Sequence, residues 1–398
     1  MPAPAIIDLD QAAATGVHPD VAAAMAAAQA AGHANPSSQH ALGRAARRLL
    51  EDARERIVGL LGGRLGPTGH DRFVFTSGAS EANHLAVCGM AAAAGAGDLC
   101  WSRRDHASSV AAARAAAAGG WRLHEAALDP ATGTAAAGLA ATVAAAAGPT
   151  ILSLTLVCGQ TGSVEDLPAI AAAIAAAGGR RIGTHVDATQ AAGMMAIDFP
   201  ALPCGTLALA PHKFGGPRGV GGLLIRGGVA ITPLQAGSQE RGLRGGTEAV
   251  PLAVGFARAL ELAAAERDET ARRVAALRDH LERRLVAAAR AAGIPAEVIA
   301  AAGPRCPQIT TIALPGLDRQ AVAMAADLAG VCLATGTACA SGSSEPAPAL
   351  VAMGLDPAAV RGAVRLSLGR TTTAAAIDEA VARLVPLLVP PRPPSAAG

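Results

Sequence analysis

The sequence predicts an α/β protein with a mainly parallel sheet and a smaller α+β C-terminal domain. Two observations carry this prediction. Short apolar runs alternate with alanine-rich helical stretches from Phe73 onward, and a long charged helical stretch then separates them from a further set of short runs. Alternating strand and helix patterns are typical of parallel sheets covered by helices. At 398 residues the chain is also longer than one hydrophobic core usually serves, which favours two domains.

Two helices are predicted before the first strand of the large sheet. They span 18–31 and 38–62, and the second follows Asn35-Pro-Ser-Ser, which resembles a helix cap. The apolar runs that follow predict strands at 73–75, 99–102, 121–127, 150–157, 182–187, 206–210 and 220–226. The last two are too close in sequence for a crossover helix. They are either antiparallel or separated by an insertion at the intervening loop.

The C-terminal part is predicted to begin with a long helix, from about 251 to 292, dense in arginine and glutamate. Beyond it, strands are expected at 308–314, 331–334 and 363–368, with a closing helix near 374–388. We therefore expect a large domain over 16–260 and a small domain over 261–389, with residues 1–15 packing on the small domain. The proline-rich tail, 390–398, is expected to be disordered.

Composition argues against several classes of function. The net charge is +2 with 16% charged residues, so neither nucleic acid nor an anionic membrane surface is an expected partner. Apolar stretches end well short of the roughly 20 residues of a membrane span. The start of the sequence has no basic segment before a long apolar one, so we expect a cytoplasmic protein. The seven cysteines form no C-x-x-C pair, so neither a metal site nor a disulfide framework is expected.

Lys213 is the only lysine in a chain whose lysines and arginines together number 33. A single lysine in such a chain indicates a need for a primary amine, because a guanidinium cannot form a Schiff base. Pyridoxal phosphate chemistry needs such an amine, and a carboxylate that holds the protonated pyridine nitrogen. Asp187 ends an apolar strand, where ligands of open α/β sheets bind. The plainer alternatives are a solvated surface lysine and an aspartate that caps a helix.

A phosphate-binding turn is predicted upstream of these two residues. The run Phe73-Val-Phe-Thr-Ser-Gly-Ala-Ser-Glu-Ala-Asn83 indicates a strand, a turn of small residues and the start of a helix. Small residues let backbone N–H groups approach an anion, and a helix N-terminus favours negative charge. Ser80 can add a hydroxyl, and Gln190 is a candidate donor to the phenolic oxygen of the cofactor ring. An ordinary turn between strand and helix is the alternative.

Three further side chains are candidates by type and position. His106, after the strand at 99–102, suits stacking on a pyridine ring and proton transfer near neutral pH. Cys339 lies in a loop of small residues, where a thiol is available as a nucleophile. Arg365, on a predicted strand, offers a bidentate fork to a substrate carboxylate. The plainer alternatives are a surface histidine, a tolerated small loop residue and a structural salt bridge.

These residues lie in motifs that resemble those of cysteine desulfurases of the class V aminotransferase family. The resemblance runs from about residue 7 to 385. Its motifs, in the order of the family, are Asn35-Pro-Ser-Ser-Gln-His40, Thr76-Ser-Gly-Ala-Ser-Glu81, Asp105-His106, His185-Val-Asp-Ala-Thr-Gln190, His212-Lys213, Gln239-Glu-Arg-Gly-Leu-Arg-Gly-Gly-Thr247, Thr335-Gly-Thr-Ala-Cys339 and Arg365-Leu-Ser-Leu-Gly369. It implies a fold-type I transferase with a mainly parallel seven-stranded sheet between helices. It also implies a homodimer with the active site at the subunit interface.

The resemblance further implies a cofactor and a set of ligands for it. Pyridoxal 5'-phosphate would bind covalently to Lys213, with Asp187 on the ring nitrogen, Gln190 on the phenolic oxygen and His106 stacked on the ring. The phosphate would be held by Ala79, Ser80 and His212, and by Thr247 from the partner subunit.

A substrate and a reaction are implied in the same way. Asn35 and Arg365 would bind L-cysteine, and Cys339 would take its sulfur as a persulfide, leaving alanine. A sulfur-acceptor protein, either a scaffold for iron–sulfur assembly or a thio-modification enzyme, would then receive the sulfur.

Two positions depart from the family pattern. Ala210 stands where the family usually has serine, which removes a hydroxyl donor worth on the order of 1.5–3 kcal/mol to a charged group. Cys158, in Cys158-Gly-Gln-Thr-Gly162, stands where an asparagine faces the cofactor ring. These departures leave open another class V enzyme, such as a selenocysteine lyase or an aminotransferase, or a degenerate paralogue that only binds partners. Retention of Lys213 and Cys339 favours a catalyst, and an aminotransferase needs no nucleophilic thiol.

Overall fold

The chain folds into strands and helices in the predicted order. The computed structural model describes residues 5–31, 34–67, 69–176, 181–336 and 345–388. The elements up to the end of the large sheet are β1 (Ile7–Asp8), α1 (Pro19–Ala31), α2 (Ala41–Leu60), β2 (Arg72–Thr76), α3 (Ala79–Ala94), β3 (Asp98–Ser102), α4 (Ala107–Ala118), β4 (Arg122–Ala126), α5 (Ala136–Ala145), β5 (Thr150–Thr155), α6 (Leu167–Ala176), β6 (Arg181–Asp187), β7 (Thr206–Leu209) and β8 (Gly221–Ile225).

The remaining elements follow the large sheet. They are α7 (Val250–Ala291), β9 (Glu297–Val298), β10 (Ile309–Ala313), α8 (Arg319–Leu328), β11 (Val331–Cys332), α9 (Pro348–Ala352), α10 (Pro357–Arg361), β12 (Val364–Ser367) and α11 (Ala374–Leu384). Short 3-10 helices lie at Pro211–Lys213, Glu240–Gly242 and Val385–Leu388. Among the described residues, every helix is too short or too polar to cross a membrane.

The large sheet has seven strands in the order β2-β8-β7-β6-β5-β3-β4. Strands β7, β6, β5, β3 and β4 run parallel to one another, while β8 is antiparallel to both β7 and β2. The α/β class predicted from the sequence is therefore confirmed. The choice left open for the last two strands is also settled. They pair as antiparallel neighbours, because only a loop with one short 3-10 helix joins them.

This strand order brings the carboxyl ends of six strands to one edge of the sheet. Because β8 is antiparallel to both β2 and β7, β2 runs in the same direction as the parallel strands. The carboxyl ends of β2, β3, β4, β5, β6 and β7 consequently share one edge. The residues at those ends are Thr76, Ser102, Ala126, Thr155, Asp187 and Leu209. Most of the predicted site residues follow these ends directly in sequence, so the topology gathers them along this edge.

A second core lies towards the C-terminus. A three-stranded antiparallel sheet, β12-β10-β9, and the parallel pair β1–β11 surround it. Its buried cluster includes Leu9, Val274, Leu281, Ile312 and Leu366, so the start of the chain packs with C-terminal residues. Helix α7, 42 residues long, contributes to this cluster and to the main one, where Phe256 and Leu260 are buried. The domain boundaries proposed from the sequence stay a prediction.

The start of α2 differs from the expectation. The predicted cap was the Asn35 segment, but the N-cap residue is His40, whose Nδ1 accepts from the backbone N–H of Gly43 at 3.3 Å. Asn35 instead closes a turn one step earlier, where its Oδ1 accepts from the backbone N–H of Ser37 at 2.8 Å. The side chains of His40 and Asn35 each accept from a backbone N–H group. The Asn35 segment therefore precedes the helix and does not supply its N-cap residue.

Candidate active site

The lysine loop follows β7 at the common edge of the sheet. Lys213 Nζ donates to the carbonyl oxygens of Ala12 at 2.7 Å and Ala13 at 2.9 Å. Gln190 Nε2 donates to the same Ala12 carbonyl at 2.9 Å. The structure thus brings Lys213 and Gln190 to a common point, with the N-terminal segment as their shared contact.

Thr15 secures this loop from the N-terminal side. Its backbone N–H and its hydroxyl both donate to the carbonyl of His212, at 2.9 and 3.0 Å, and its hydroxyl accepts from the N–H of Gly215 at 2.8 Å. Sequence reasoning missed Thr15, because its partners lie about 200 positions further along the chain. One threonine therefore braces the backbone on both sides of Lys213.

Asp187 lies at the end of β6 and is 3% exposed. Its Oδ2 accepts from Asn83 Nδ2 at 2.8 Å, and its Oδ1 accepts from the backbone N–H of Thr189 at 2.9 Å. Both of these hydrogen-bond donors are neutral. A buried carboxylate in such a setting is suited to a cationic partner, such as a protonated pyridine nitrogen.

His185 and Asn83 are polar residues of the site that sequence reasoning missed as functional candidates. Both are fully buried, and His185 Nε2 lies 2.9 Å from Asn83 Oδ1. Burial lowers the pKa of His185 to about 4. A usable signal was present, since His185 and Asp187 are two residues apart on one strand and therefore share a face of the sheet.

His106 begins α4 as its N-cap residue. Its Nδ1 accepts from the backbone N–H of Ser108 at 3.1 Å and lies 2.7 Å from the Ser108 hydroxyl. Asp105, the residue before it, is buried and accepts from the backbone N–H groups of Ser102 and Thr155 at 3.0 and 2.9 Å. Asp105 thereby ties the turn that carries His106 to the end of β5. Burial raises the pKa of Asp105 to about 6.

The predicted phosphate turn is the N-terminus of α3. Gly78 is the N-cap residue and makes no side-chain cap. Within the described part of the chain, the backbone N–H groups of Ala79 and Ser80 meet no acceptor. Gly221, the first residue of β8, lets this turn approach closely, because a Cβ there would lie 2.5 Å from the Gly78 carbonyl carbon. The turn therefore offers unpaired backbone donors to an anion.

His212 precedes Lys213 in the short 3-10 helix that follows β7. Burial, reinforced by the charges of Lys213, Arg218 and His106, lowers the pKa of His212 to about 4. The imidazole is thus neutral near pH 7 and can act as an N–H donor to a phosphate. These electrostatic contributions also show that the structure brings His106 into the neighbourhood of the lysine loop.

The loop that carries Thr247 is strained and firmly held. Glu240 and Arg241 have φ angles of 47° and 57°, a region that favours glycine. Arg54 from α2 forms a bidentate ion pair with Glu240, with Nη1–Oε2 at 2.7 Å and Nη2–Oε1 at 3.0 Å. The Oε2 atom of Glu240 also accepts from the backbone N–H of Phe75 at 2.8 Å. Arg54, like His185 and Asn83, is a buried residue of the site region that sequence reasoning missed.

Two predicted site residues lie away from the lysine loop. Thr247 and Asn35 are both exposed, and they line one groove of about 580 Å³ together with Met25 and Leu252. Within the described residues, neither makes a hydrogen bond to the lysine loop. The Thr247 loop does contact the phosphate turn of its own chain, since Arg244 Nε donates to Glu81 at 2.9 Å. Their predicted roles stay predictions.

Arg365 is buried on β12 and already has protein partners. Its Nη2 forms an ion pair with Asp10 at 2.7 Å, and its Nη1 donates to the carbonyl of Gly159 at 2.8 Å. Its Nε has no hydrogen-bond partner among the described residues. The structural salt bridge named as the plainer alternative is therefore present, and Nε is the one guanidinium nitrogen without a partner among the described residues.

The two departures from the family pattern are both buried. Cys158 and Ala210 are inaccessible to solvent. Cys158 lies next to Gly159, where a Cβ would sit 3.6 Å from Gln190 Nε2, so this loop borders the site. Cys339 lies outside the residues that the structure describes, and its role also stays a prediction.

The site combines three features at one edge of the sheet: a lysine after one parallel strand, a buried carboxylate at the end of the neighbouring strand and a helix N-terminus. This combination defines a pyridoxal phosphate-binding protein of the α/β class. The family model described as Aminotransferase class-V matches residues 7–380, and the chain belongs to this family.

Known relatives agree along nearly the whole chain. The chain is 35% identical over 392 residues to the IscS-like cysteine desulfurase of Mycobacterium tuberculosis, with 94% of each protein covered. It is 35% identical over 398 residues to a cysteine desulfurase of Rhodobacter capsulatus, with 99% of each covered. A solved structure of a NifS-like protein from Rickettsia africae has a TM-score of 0.83 at 25% identity, covering 95% of this chain and 98% of that one.

Members of this family use pyridoxal phosphate, and the residues present fit that cofactor. The N–H groups of Ala79 and Ser80 are available to its phosphate, and Asp187 suits its protonated ring nitrogen. Lys213 and Gln190 meet at one carbonyl, so both can reach the same small ligand. The cofactor expected from the sequence is therefore confirmed.

Proposed function

We propose that this chain is a pyridoxal phosphate-dependent cysteine desulfurase that converts L-cysteine to L-alanine and places the sulfur on Cys339. The observation that carries the proposal is the arrangement at the sheet edge. The only amine side chain in the protein follows β7, next in sequence to a neutral His212, and the unpaired donors of a helix N-terminus follow β2 at the same edge of the sheet. The names of the relatives at 35% identity support the same activity.

The cofactor, when bound, supplies an electron sink for bond cleavage next to the amino group. Lys213 would hold it and then act as the base at the substrate Cα. In the structure its Nζ donates to two carbonyls, which keeps the amine at a defined point. Asp187 would hold the ring nitrogen protonated, and His106 would cover one face of the ring. Gln190 would donate to the phenolic oxygen.

Arg365 would orient the substrate. Its free Nε–H is a donor for a carboxylate, while Asp10 and Gly159 hold the rest of the guanidinium in place. A guanidinium fixed on two sides presents its Nε–H in one direction only. The substrate carboxylate therefore has a defined binding direction relative to the lysine loop.

Cys339 would complete the reaction as its thiolate. The Sγ of Cys339 attacks the sulfur of the substrate, a sulfur–sulfur bond forms and the substrate Cβ–Sγ bond breaks. The electron pair of the broken bond goes to Cβ, which takes up a proton to become the methyl group of alanine. The enzyme is left with a persulfide on Cys339, which an acceptor protein then takes.

The working form is proposed to be a homodimer, with Thr247 reaching the phosphate of the partner subunit. The exposure of Thr247, on a loop held rigid by Arg54 and Glu240, supports a role towards another chain. Asn35 lies in the same groove and is proposed to serve the substrate. The sulfur acceptor, whether for iron–sulfur assembly or thio-modification, is left open. A cytoplasmic location stays a prediction of the sequence.

The test is Cys339→Ser. It should bind the cofactor and L-cysteine normally but lose almost all sulfide production, because a hydroxyl cannot take up sulfur as a persulfide. Wild type incubated with L-cysteine should gain about 32 Da, one sulfur atom, on the peptide that holds Cys339. Cys332→Ser, at a half-buried thiol on β11, is the matched control and should keep full activity.

Undiminished sulfide release by Cys339→Ser would place the chemistry elsewhere, and a direct lyase is then the better description. Wild type that binds cofactor yet releases neither alanine nor sulfide would favour the degenerate paralogue. The buried Ala210 and Cys158 are the observations that keep this second candidate in view.

A further inference from the structure

We propose that Asn83 is a positioning residue that fixes where the protons lie on His106 and His185 and gives Asp187 a hydrogen-bond donor without adding charge. The inference rests on the proposed function, because His106 and Asp187 are the groups expected against the cofactor ring. Asn83 lies on α3, five positions after the N-cap Gly78, and is fully buried.

The side chain of Asn83 has three partners, each on a different polar residue. Its Nδ2 donates to Asp187 Oδ2 at 2.8 Å and to Ser108 Oγ at 2.9 Å. Its Oδ1 lies 2.9 Å from His185 Nε2. A side-chain amide has two N–H protons and one carbonyl oxygen. The three contacts of Asn83 therefore use both N–H donors and leave its carbonyl oxygen to accept from the ring nitrogen of His185.

The first consequence concerns His106. Because Ser108 Oγ accepts from Asn83, its own proton is directed to His106 Nδ1, 2.7 Å away. The backbone N–H of Ser108 points to the same nitrogen at 3.1 Å. Two donors therefore converge on Nδ1, and the ring proton of neutral His106 must lie on Nε2.

The second consequence concerns His185. Both Asn83 protons are already used, so the short contact at Oδ1 requires a proton on His185 Nε2. The other ring nitrogen, Nδ1, then accepts from the hydroxyl of Thr206 at 2.9 Å. His185 is thereby held neutral, in agreement with a pKa lowered to about 4 by burial.

The third consequence concerns Asp187, and it explains why an amide is required at position 83. A carboxylate there would place an acceptor 2.8 Å from Asp187 Oδ2, and two like charges at that distance need a shared proton. It would also draw the Ser108 proton away from His106. The amide instead gives Asp187 a hydrogen-bond donor and adds no negative charge beside the position proposed for a cationic ring nitrogen.

The experiment uses Asn83→Asp, which keeps the shape and exchanges donors for acceptors. Selective 15N-histidine NMR of the cofactor-free protein, with His106→Gln to assign the signal, should show the Nε2–H form of His106 in wild type. In Asn83→Asp a signal from the Nδ1–H form should appear. At pH 8 the variant should bind pyridoxal phosphate about 10- to 100-fold more weakly than wild type. The difference in cofactor affinity between Asn83→Asp and wild type should become smaller at pH 5.5, because protonation of the introduced carboxyl group restores one donor.

Two further variants test the contacts to His106 and to His185 separately, and they guard against misfolding of Asn83→Asp. Ser108→Ala removes only the hydroxyl link, so it should change the His106 signal without the pH-dependent change in affinity. Thr206→Val removes only the far partner of His185 and should leave the His106 signal as in wild type. An unchanged His106 signal in Ser108→Ala, or in a folded Asn83→Asp, would overturn the proposal. So would equal cofactor affinity of Asn83→Asp and wild type at pH 8. Failure of wild type to bind cofactor would refute the proposed function instead, while the NMR measurement still decides the role of Asn83.

Discussion

Replacing Arg54 with methionine should destabilise the protein and loosen the loop that carries Thr247. Arg54 is 2% exposed and its partner Glu240 is 4% exposed, so the ion pair is cut off from water. Two hydrogen bonds join them, at 2.7 and 3.0 Å. Methionine fills much of the same volume but leaves the Glu240 carboxylate without its cation.

The expected size follows from the burial of the pair. Removing one partner of a buried ion pair costs about 3–5 kcal/mol, because the remaining charge is uncompensated. Unfolding entropy is about 2.1 cal/mol/K per residue, so for 398 residues each kcal/mol lowers Tm by about 1.2 °C. The expected fall in Tm is therefore about 4–6 °C. The left-handed backbone at Glu240 and Arg241, which costs about 1–3 kcal/mol per residue, should relax once its anchor is lost.

The assay is thermal unfolding of cofactor-free protein, followed by titration with pyridoxal phosphate. Arg56→Met is the matched control, because Arg56 lies on the same helix in a half-exposed pair with Glu261 and should cost about 0.2–1 kcal/mol. The double variant Arg54→Met with Glu240→Gln should recover part of the loss, since it removes the unpaired charge and keeps an acceptor for the Phe75 N–H. A Tm for Arg54→Met no lower than that of Arg56→Met would refute the reasoning.

Three further predictions concern the site itself. Wild type should be yellow with bound cofactor and Lys213→Ala should be colourless, because Lys213 is the only amine side chain available for a Schiff base; a coloured Lys213→Ala would contradict the assignment. Ala210→Ser should tighten cofactor binding by roughly 1 kcal/mol or more, measured by titration after dialysis; equal affinities would show that the backbone donors and Ser80 already satisfy the phosphate. Cofactor-free protein should lose stability as the pH falls from 6.5 towards 4, because His185 and His212, with folded pKa values of about 4, stay neutral when folded and take up protons when unfolded. Asp105, whose folded pKa is raised to about 6 from 3.8, acts in the opposite direction between those values. Unfolding curves at pH 7 and pH 5 measure the net effect of these three groups on stability. His212→Gln should make Tm depend less on pH, and a Tm that rises on acidification would refute the prediction.

Much of the fold and part of the site could be read from local signals. The alternation of apolar runs and alanine-rich stretches predicted the strands of the large sheet and the long helix α7. Lys213 was identified by its rarity, and Asp187 by its place at a strand end. These signals are local, because strand and helix periodicity and the chemistry of one side chain depend on few neighbours.

The supporting residues were harder to predict. Asn83 and His185 are buried polar groups that lie on different elements. They contact each other although they are 102 positions apart in the chain. Thr15 lies 197 positions from the carbonyl it holds. Nothing local distinguishes such a threonine or asparagine from one at a surface, because its function depends on which distant group it meets.

By itself, the sequence determined the α/β class, the order of the elements and the chemical groups available to the site. Those features follow from residue type and short-range periodicity, which do not depend on the final packing. The tertiary structure alone decided that β8 pairs between β2 and β7, that the N-terminal segment meets Lys213 and that Arg54 holds Glu240. Each of these joins residues far apart in the chain, so it is settled only when the sheet and helices pack together and buried polar groups must find partners.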